Sequence, residues 1–415
     1  MSNPVVLIGG GTAVNSFLKA NLDVPIVVVH GNPFQEWNSA ASYYLTHPSE
    51  YPRFVAADTS AFSKSLPNVT YEYEAAVEVD HQSKTATLQS GKKVTYRALV
   101  VGTGMNLPII SAKAGTSLEA RVAEVNEWGA ALTSPSKTIV INGAGSIGLE
   151  VAADVRLANP SAKILVLSRS GNVLTSFAYP PSTIASVLKE LKRLNIEIVK
   201  ATVCQDSLAP SSTPKTIKVV GGNNIEADVF LPAYQQGCNT SFFNSSFLDD
   251  TFIKTNSNLQ SVNAKEVFAI GVNTLGIGFA AMELAPQSAH CAANVKKFLA
   301  GQPLKPYVVA KQGAMGLKPA MLKLGYGKGG WMKIDNMPQP VQCCSFLCGW
   351  PCCPCFALCG GLTCCGTPCA PAQGQSAMDG FMGMFGVAGI DAFPGNSNMS
   401  GFGSVAPEGQ GGMVR

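Results

Sequence analysis

The sequence predicts an α/β fold with two Rossmann-like domains, the second inserted in the first, followed by a cysteine-rich tail. Short runs of apolar, mostly β-branched residues recur along the chain without polar alternation, as in parallel strands covered on both faces. Two of these runs lead into a glycine cluster, a segment of helical length and a second apolar run, which is the order of a βαβ unit. From about residue 337 the composition changes, and residues 336–378 hold no charged side chain.

The first βαβ unit begins at the N-terminus. The strand Val5–Ile8 leads into Gly9-Gly10-Gly11, and the strand Ile26–Val29 follows a segment of helical length. A glycine turn between a strand and a helix predicts a dinucleotide site. This unit is irregular, because Val14 replaces the third glycine and the second strand ends in His30-Gly31-Asn32, without a carboxylate for a ribose. A vestigial nucleotide fold is therefore the alternative at this turn.

The second unit is regular. The strand Thr138–Ile141 leads into Gly143-Ala144-Gly145-Ser146-Ile147-Gly148, whose glycines permit a tight turn, close approach to a pyrophosphate and close helix–strand packing. The next strand, Ile164–Leu167, ends in Ser168-Arg169. An NAD site would carry an acid there for the ribose 2′-hydroxyl, whereas a guanidinium favours the 2′-phosphate of NADPH. The alternative is that Arg169 is a solvated surface residue.

Further buried strands are predicted at Ala98–Val101, before Gly102-Thr103-Gly104, and at Asp228–Pro232 and Val267–Gly271. Residues 279–299 have helical spacing, in which Pro286 is expected to kink or restart the helix. The resulting domain limits are 1–108 with 223–300 for the first domain, 109–222 for the second, 301–336 for a C-terminal interface segment, and 337–415 for the tail.

The composition excludes several classes of partner and location. The formal net charge is +4 and no block of basic residues is present, so we expect no nucleic-acid partner. The N-terminus carries no secretory signal pattern, and no segment before residue 336 is apolar enough to span a bilayer. No metal site is predicted in the body of the protein. We expect a cytoplasmic protein that associates with a membrane, if at all, through its tail.

The tail holds ten of the 13 cysteines, between Cys343 and Cys369, and no charged side chain between residues 336 and 378. Cysteines clustered among apolar residues fit S-palmitoylation and membrane association. Cys352-x-x-Cys355 offers one ligand pair for zinc or an iron–sulfur cluster. Disulfides, which need an oxidising compartment, and an unmodified interaction segment remain alternatives. Residues 370–415 have the composition of a disordered segment.

The order of these motifs resembles the apoptosis-inducing-factor-like flavoproteins. The resemblance is strongest to the ferroptosis-suppressor (AMID-type) branch and its fungal homologues, which are related to the type II NADH dehydrogenases. It extends over about residues 4–335. The matching motifs are the two glycine turns, Val101-Gly102-Thr103-Gly104, Pro232 with Asn239-Thr240-Ser241-Phe242, Val267–Gly271, Pro52-Arg53, and Leu324-Gly325-x-Gly327-Lys328-Gly329-Gly330.

The resemblance implies a bound FAD that is reduced by NADPH or NADH and passes electrons to a quinone-like acceptor. It implies FAD contacts at Gly9, Gly11, Arg53, Gly102, Thr103, Gly104, Gly271 and Val272. It implies pyridine-nucleotide contacts at Gly143, Gly145, Ser146, Ile147, Gly148 and Arg169.

Two residues are implied for catalysis. Glu150 matches a family acid on the nicotinamide side, with a first-turn carboxylate that stabilises its helix as the alternative. Gln287 is expected at the start of the helix that approaches the flavin ring. No cysteine occurs before Cys204, which excludes a dithiol pair beside the flavin and leaves direct electron transfer to a diffusible acceptor.

Four positions depart from the family pattern: Val14, His30-Gly31-Asn32, Tyr234-Gln235 in the second "TG" motif, and Val272. Val272 replaces the Asp that hydrogen-bonds the FAD ribitol, and losing a charged partner costs about 1.5–3 kcal/mol. Asn273 is expected to supply a substitute contact. These departures keep an alternative function open, namely a protein with an impaired FAD site that binds NAD(P)H as a non-catalytic sensor or a membrane-tethered scaffold.

Overall fold

The computed structural model describes residues 3–36, 38–56, 66–175, 181–234, 236–274 and 281–308. The expectations for Leu324–Gly330 and for the cysteine-rich tail lie outside these residues.

Up to residue 101, the described chain forms β1 (Val5–Ile8), α1 (Thr12–Leu18), β2 (Ile26–Val29), β3 (Gln35–Glu36), α2 (Ala41–Tyr44), β4 (Val55–Ala56), β5 (Val69–Glu72), β6 (Ala76–Asp80), β7 (Thr85–Leu88), β8 (Lys93–Thr95) and β9 (Ala98–Val101). The middle of the chain forms α3 (Leu118–Thr133), β10 (Thr138–Asn142), α4 (Ser146–Ala158), β11 (Lys163–Ser168), α5 (Pro181–Arg193), β12 (Ile196–Lys200), β13 (Lys215–Ile217), β14 (Ile225–Ala227) and β15 (Val229–Pro232). It continues with β16 (Leu248–Asp249), β17 (Phe252–Ile253), β18 (Val267–Ala269) and α6 (Ala281–Leu299). Short 3-10 helices cover Asn38–Ala40, Pro48–Phe54, Gln205–Ser207, Ser245–Phe247 and Gly271–Asn273.

The first sheet has the strand order β18-β9-β1-β2-β5, and all its pairings are parallel. Every residue of β1 and β9 is buried, as expected for strands covered on both faces. Helices α1 and α6 cover one face. The antiparallel sheet β6-β7-β8 and a cluster of three phenylalanines, Phe242, Phe243 and Phe247, pack against the other.

The second sheet has the order β12-β11-β10-β15 and is also parallel. Its strands come between β9 and β18 of the first sheet, so the second unit is inserted in the first, as predicted. The domain limit at 222/223 is wrong for β15, because this strand pairs with β10 and not with the first sheet. An apolar strand carries no mark of the sheet that it joins, and β15 comes only two residues after the hairpin β13–β14.

A buried ion pair joins the first unit to the second. Arg121 of α3 is fully buried, and its Nε donates to Oε1 of Glu36 on β3 at 2.7 Å. Its Nη1 pairs with Glu124 at 2.7 Å, and its Nη2 donates to the carbonyl oxygen of Ile109 at 2.9 Å. The hydroxyl of Tyr51 donates to the same Glu36 oxygen at 2.8 Å. The guanidinium therefore holds the segment that connects the two units.

Of the two effects expected of Pro286, the structure contradicts a restart of α6, and a kink remains a prediction. The helix continues from Ala281 to Leu299 with the proline inside it, so Pro286 neither ends nor restarts it. In the described part of the chain, no helix has the length and the apolar character needed to cross a membrane.

Candidate dinucleotide-binding sites

The first glycine turn lies at the carboxyl end of β1. Gly9 has a φ of +123°, and a side chain there would overlap the carbonyl oxygen of Gly102 at the end of β9. Gly11, which precedes α1, has no atom within 4 Å of the position of a Cβ. The turn therefore packs tightly against the sheet on one side and leaves an open backbone surface on the other, which suits a phosphate that approaches the main chain.

Val14 is accommodated beside this turn. Its side chain is fully buried in α1, and its Cγ2 lies 3.0 Å from the position of a Cβ at Gly102. The absent side chain of Gly102 thus supplies the space that the third glycine of a regular motif would have supplied. Val14 is compatible with a packed first unit.

His30 follows the last residue of β2, where a ribose-binding carboxylate is absent. Its ring lies so close to Gly10 that a side chain at Gly10 would overlap it. Burial lowers the pKa of His30 to about 4, so the ring is neutral at pH 7. Its Nδ1 is buried without a hydrogen-bond partner among the described residues. The strand end therefore carries no charge at His30.

Three loops meet beside the first glycine turn. The hydroxyl of Thr103 donates to the carbonyl oxygen of Asn239 at 2.6 Å, and the Asn239 amide donates to the carbonyl oxygens of Thr103 and Met105, both at 3.2 Å. The Asn273 amide nitrogen donates to the Thr103 hydroxyl at 2.9 Å, and its oxygen accepts the N–H of Gly104 at 2.9 Å. A segment before the insertion is thereby fixed to two segments that follow it.

Asn273, the candidate replacement for the missing Asp of the family, binds other parts of the protein. Asn273 is fully buried, and both of its amide atoms already bind the Thr103–Gly104 loop. Val272 is half-buried, and its carbonyl oxygen accepts a hydrogen bond from the thiol of Cys238 at 3.3 Å. The contact of Asn273 with FAD therefore remains a prediction.

Gln287 lies inside α6, seven residues into a helix that begins at Ala281, and not at its start as expected. Its buried side-chain oxygen accepts the N–H of Gly271, which has a left-handed φ of +68°. Its amide nitrogen donates to the hydroxyl of Thr274 at 3.3 Å. Gln287 thus positions the loop that follows β18. A direct catalytic role remains a prediction, and the engaged amide does not favour it.

We expect Gln287→Leu to destabilise the protein by about 1–3 kcal/mol, because the Gly271 N–H would lose its acceptor in a buried site. Gln287→Glu keeps an oxygen at the same place and is the matched control. Thermal unfolding with and without added FAD measures both changes. A loss of turnover without a loss of stability in Gln287→Leu would contradict the positioning role and support the catalytic one.

The second glycine turn lies at the carboxyl end of β10. A side chain at Gly148 would overlap the carbonyl oxygen of Gly143, so helix and turn are in direct contact there. Gly145 is the N-cap of α4, has no side-chain cap, and has open space around the position of a Cβ. Ser146 and Ile147 begin the helix and are half-buried. The first N–H groups of a helix have no partner within the helix, so this open helix end suits an anion.

Arg169 follows β11 and is exposed. The hydroxyl of Ser168 donates to the carbonyl oxygen of Asn172 at 2.6 Å, which closes the loop that carries Arg169. Sequence analysis missed a second cation nearby. Lys200, the last residue of β12, is exposed and lies opposite Ser168 in the parallel register. The sequence could have indicated that Lys200 ends a strand. Only the strand order of the sheet shows that this strand end lies beside Arg169.

Two other implied site residues have positions but no established role. Glu150 is half-buried in the second turn of α4, and the first turn holds no acidic residue, so stabilisation as a first-turn carboxylate does not apply to it. Arg53 lies in the 3-10 helix Pro48–Phe54. Their parts in catalysis and FAD binding remain predictions.

Two parallel sheets, each with a glycine turn that is open at its carboxyl edge, define a protein with two dinucleotide-binding units. The chain belongs to the pyridine nucleotide-disulphide oxidoreductase family, whose model matches residues 3–295. The proteins to which it is similar include the oxidoreductase ptaL of Pestalotiopsis fici, 27% identical over 76% of this chain and 88% of that protein. Ferroptosis suppressor protein 1 of Taeniopygia guttata is 24% identical over 64% of this chain and 73% of that protein.

Solved structures share the fold. The sulfide:quinone oxidoreductase of Aquifex aeolicus superposes with a TM-score of 0.57 at 18% identity, over 73% of this chain and 78% of that chain. The ferredoxin reductase for the CYP199A2 system of Rhodopseudomonas palustris gives 0.58 at 18%, over 74% and 78%. The resemblance to apoptosis-inducing-factor-like flavoproteins and the two-Rossmann fold are confirmed. The protein is an FAD-dependent oxidoreductase by family. Its three described cysteines, Cys204, Cys238 and Cys291, form no disulfide bond with one another.

Proposed function

We propose that the protein transfers electrons from NADPH through FAD to a quinone-like acceptor. The observation that carries the proposal is the pair of glycine turns, each open at the carboxyl edge of its own parallel sheet, with exposed Arg169 beside the second turn. Because one sheet is inserted in the other, a single chain supplies both dinucleotide sites.

The residues present fit the two cofactors. Gly11 and Gly145 leave open the space that a Cβ would partly fill, and this is where a pyrophosphate must approach the backbone. When bound, FAD would supply the redox chemistry by accepting a hydride from the pyridine nucleotide and releasing electrons to the acceptor. The residues of the chain position the loops that surround the cofactor sites. Thr103, Asn239 and Asn273 fix the loops around the first turn through hydrogen bonds of 2.6–3.2 Å.

The acceptor is proposed from chemistry and from relatives. The sequence before Cys204 holds no cysteine for a dithiol relay, so electrons must pass directly to a diffusible molecule. A quinone is the acceptor named for the Aquifex aeolicus neighbour. NADPH is proposed over NADH because a guanidinium attracts a 2′-phosphate. The carboxylate that would bind the ribose 2′-hydroxyl of NADH is absent at this strand end. Glu150 is the candidate acid on the nicotinamide side.

A visible absorption spectrum of the purified protein, followed by anaerobic addition of NADPH or NADH, tests this function. We expect a flavin spectrum of about one FAD per chain that NADPH bleaches faster than NADH, with oxidation restored by a soluble quinone. Arg169→Ala should reduce the advantage of NADPH, because it removes a cation from the 2′-phosphate side. A flavin that neither nucleotide bleaches would contradict the proposal.

A second function is favoured by one observation: Asn273, the candidate replacement for the Asp lost at Val272, already binds the Thr103–Gly104 loop. On this hypothesis the protein binds NAD(P)H as a sensor or scaffold and has an impaired FAD site. A colourless protein that cannot be reconstituted with FAD, yet binds NADPH, would support it. The two functions thus predict opposite spectra.

We also propose a cytoplasmic location and peripheral membrane association through the cysteine-rich tail, on the basis of sequence alone. A lipidated tail would bring the enzyme to a membrane quinone. Fractionation of cells that express the full chain or residues 1–336 tests this part. Loss of the membrane fraction in the shorter chain would support it, and equal fractions would contradict it.

A further inference from the structure

Lys200 lies at the same edge of the second sheet as the glycine turn. It is the last residue of β12 and pairs in parallel register with Ser168, the last residue of β11. The carboxyl ends of parallel strands share the ligand-binding edge of such a sheet. Two neighbouring strands, β11 and β12, therefore bring Arg169 and Lys200 to the same carboxyl edge of the second sheet.

The side chain of Lys200 runs along the loop that carries Arg169. A Cβ at Gly171 would lie 3.4 Å from Cβ and 3.5 Å from Cγ and Cδ of Lys200, so the missing side chain leaves room for the lysine. The Gly171 N–H donates to the carbonyl oxygen of Ser168 at 3.2 Å, and Leu174 N–H donates to that of Ala144 at 2.9 Å. These bonds fix the loop against the glycine turn.

Among the described residues, no ion pair neutralises either cation. Lys200 and Arg169 are both exposed, and no carboxylate of the described chain pairs with either. The next carboxylate along the chain after Lys200, Asp206, is paired with Lys218 at 2.6 Å. Two free cations beside a nucleotide turn attract a phosphate dianion, whereas a ribose hydroxyl gains little from them.

We propose that Lys200 and Arg169 together bind the 2′-phosphate of NADPH, and that Lys200 is a main determinant of the preference for NADPH over NADH. This inference rests on the proposed use of NADPH and adds a residue from the neighbouring strand. Arg169 binds the phosphate from the loop after β11, and the ammonium of Lys200 binds it from the side of β12.

The test is calorimetric titration of the full-length protein, as purified, with NADP⁺ and with NAD⁺. We expect Lys200→Ala to weaken NADP⁺ binding about tenfold, equivalent to ~1.4 kcal/mol, and to leave NAD⁺ binding within about twofold. Lys200→Glu should weaken NADP⁺ more, and Lys200→Arg should retain most of the affinity. Raising the salt concentration should reduce the difference between wild type and Lys200→Ala, because exposed charges are screened.

Lys163 is the matched control. It is an exposed lysine at the amino end of β11, on the opposite edge of the same sheet, and Lys163→Ala should change neither titration. Equal changes for the two nucleotides in Lys200→Ala, or none for either, would overturn the inference. A wild type that binds neither nucleotide would overturn both the inference and the proposed function. A colourless protein whose NADP⁺ preference is lost in Lys200→Ala would overturn the proposed electron transfer alone.

Discussion

Gly148→Ala is expected to destabilise the second unit by about 3 kcal/mol, at the upper end of what added bulk in a packed site usually costs. The added methyl group would overlap the carbonyl oxygen of Gly143, and a backbone atom cannot move aside as a side chain can. Helix α4 would have to move away from the turn, which would also remove the pyrophosphate site. Denaturant unfolding followed by circular dichroism measures the loss of stability, and NADP⁺ titration measures the loss of binding.

Gly145→Ala separates folding from binding in the same turn. Its Cβ would meet no protein atom within 4 Å, so we expect the free energy of unfolding to change by less than about 1 kcal/mol. The same methyl group would project into the space that a pyrophosphate needs, and nucleotide binding should fall sharply. Equal stabilities for the two variants would show that α4 does not pack against Gly143 as the structure indicates.

Arg121→Met is expected to cost about 3–5 kcal/mol of folding stability, the loss usual when one partner of a buried ion pair is removed. Glu36 would be left as a buried carboxylate with the Tyr51 hydroxyl but without its counter-charge. Adding Glu36→Gln should recover part of the loss, because the uncompensated charge is then removed. A double-mutant cycle on the free energy of unfolding measures this coupling.

Arg193→Met is the control for this cycle. Its guanidinium pairs with Glu190 at 2.6 Å, but the arginine side chain is 56% exposed, and exposed pairs contribute at most about 1 kcal/mol. A loss in Arg121→Met no larger than in Arg193→Met would mean that burial adds nothing to the pair. Additive losses for Arg121→Met and Glu36→Gln would mean that the two side chains are not coupled.

Local patterns predicted the elements that form the glycine turns. Val5–Ile8 and Ile26–Val29 were expected from their unbroken apolar runs and are observed with the same bounds, because strands buried on both faces need such runs. The strand after the second turn extends one residue further at each end than Ile164–Leu167. The glycine spacing alone predicted the two turns at the ends of β1 and β10.

Long-range partners could not be predicted in the same way. The residues of β15 are apolar whichever sheet they join, so the sequence placed this strand in the wrong unit. The sequence identifies Asn273 as an amide, but it does not indicate its partners. These are Thr103 and Gly104, about 170 residues away in the chain. Lys200 became a candidate only through its register with Ser168. Each of these facts depends on pairing between distant segments.

The insertion also sets the order in which the two sheets can be completed while the chain is being synthesised. The ribosome has made every strand of the second sheet once residue 232 is added, whereas the first sheet lacks β18 until residue 269. The loop 271–274, which ties Thr103 and Gly104 in place, is made later still. One edge of β9 therefore stays unpaired until β18 is made, and by then the inserted unit already has all its strands. In this chain the nucleotide fold that begins first is the last to close.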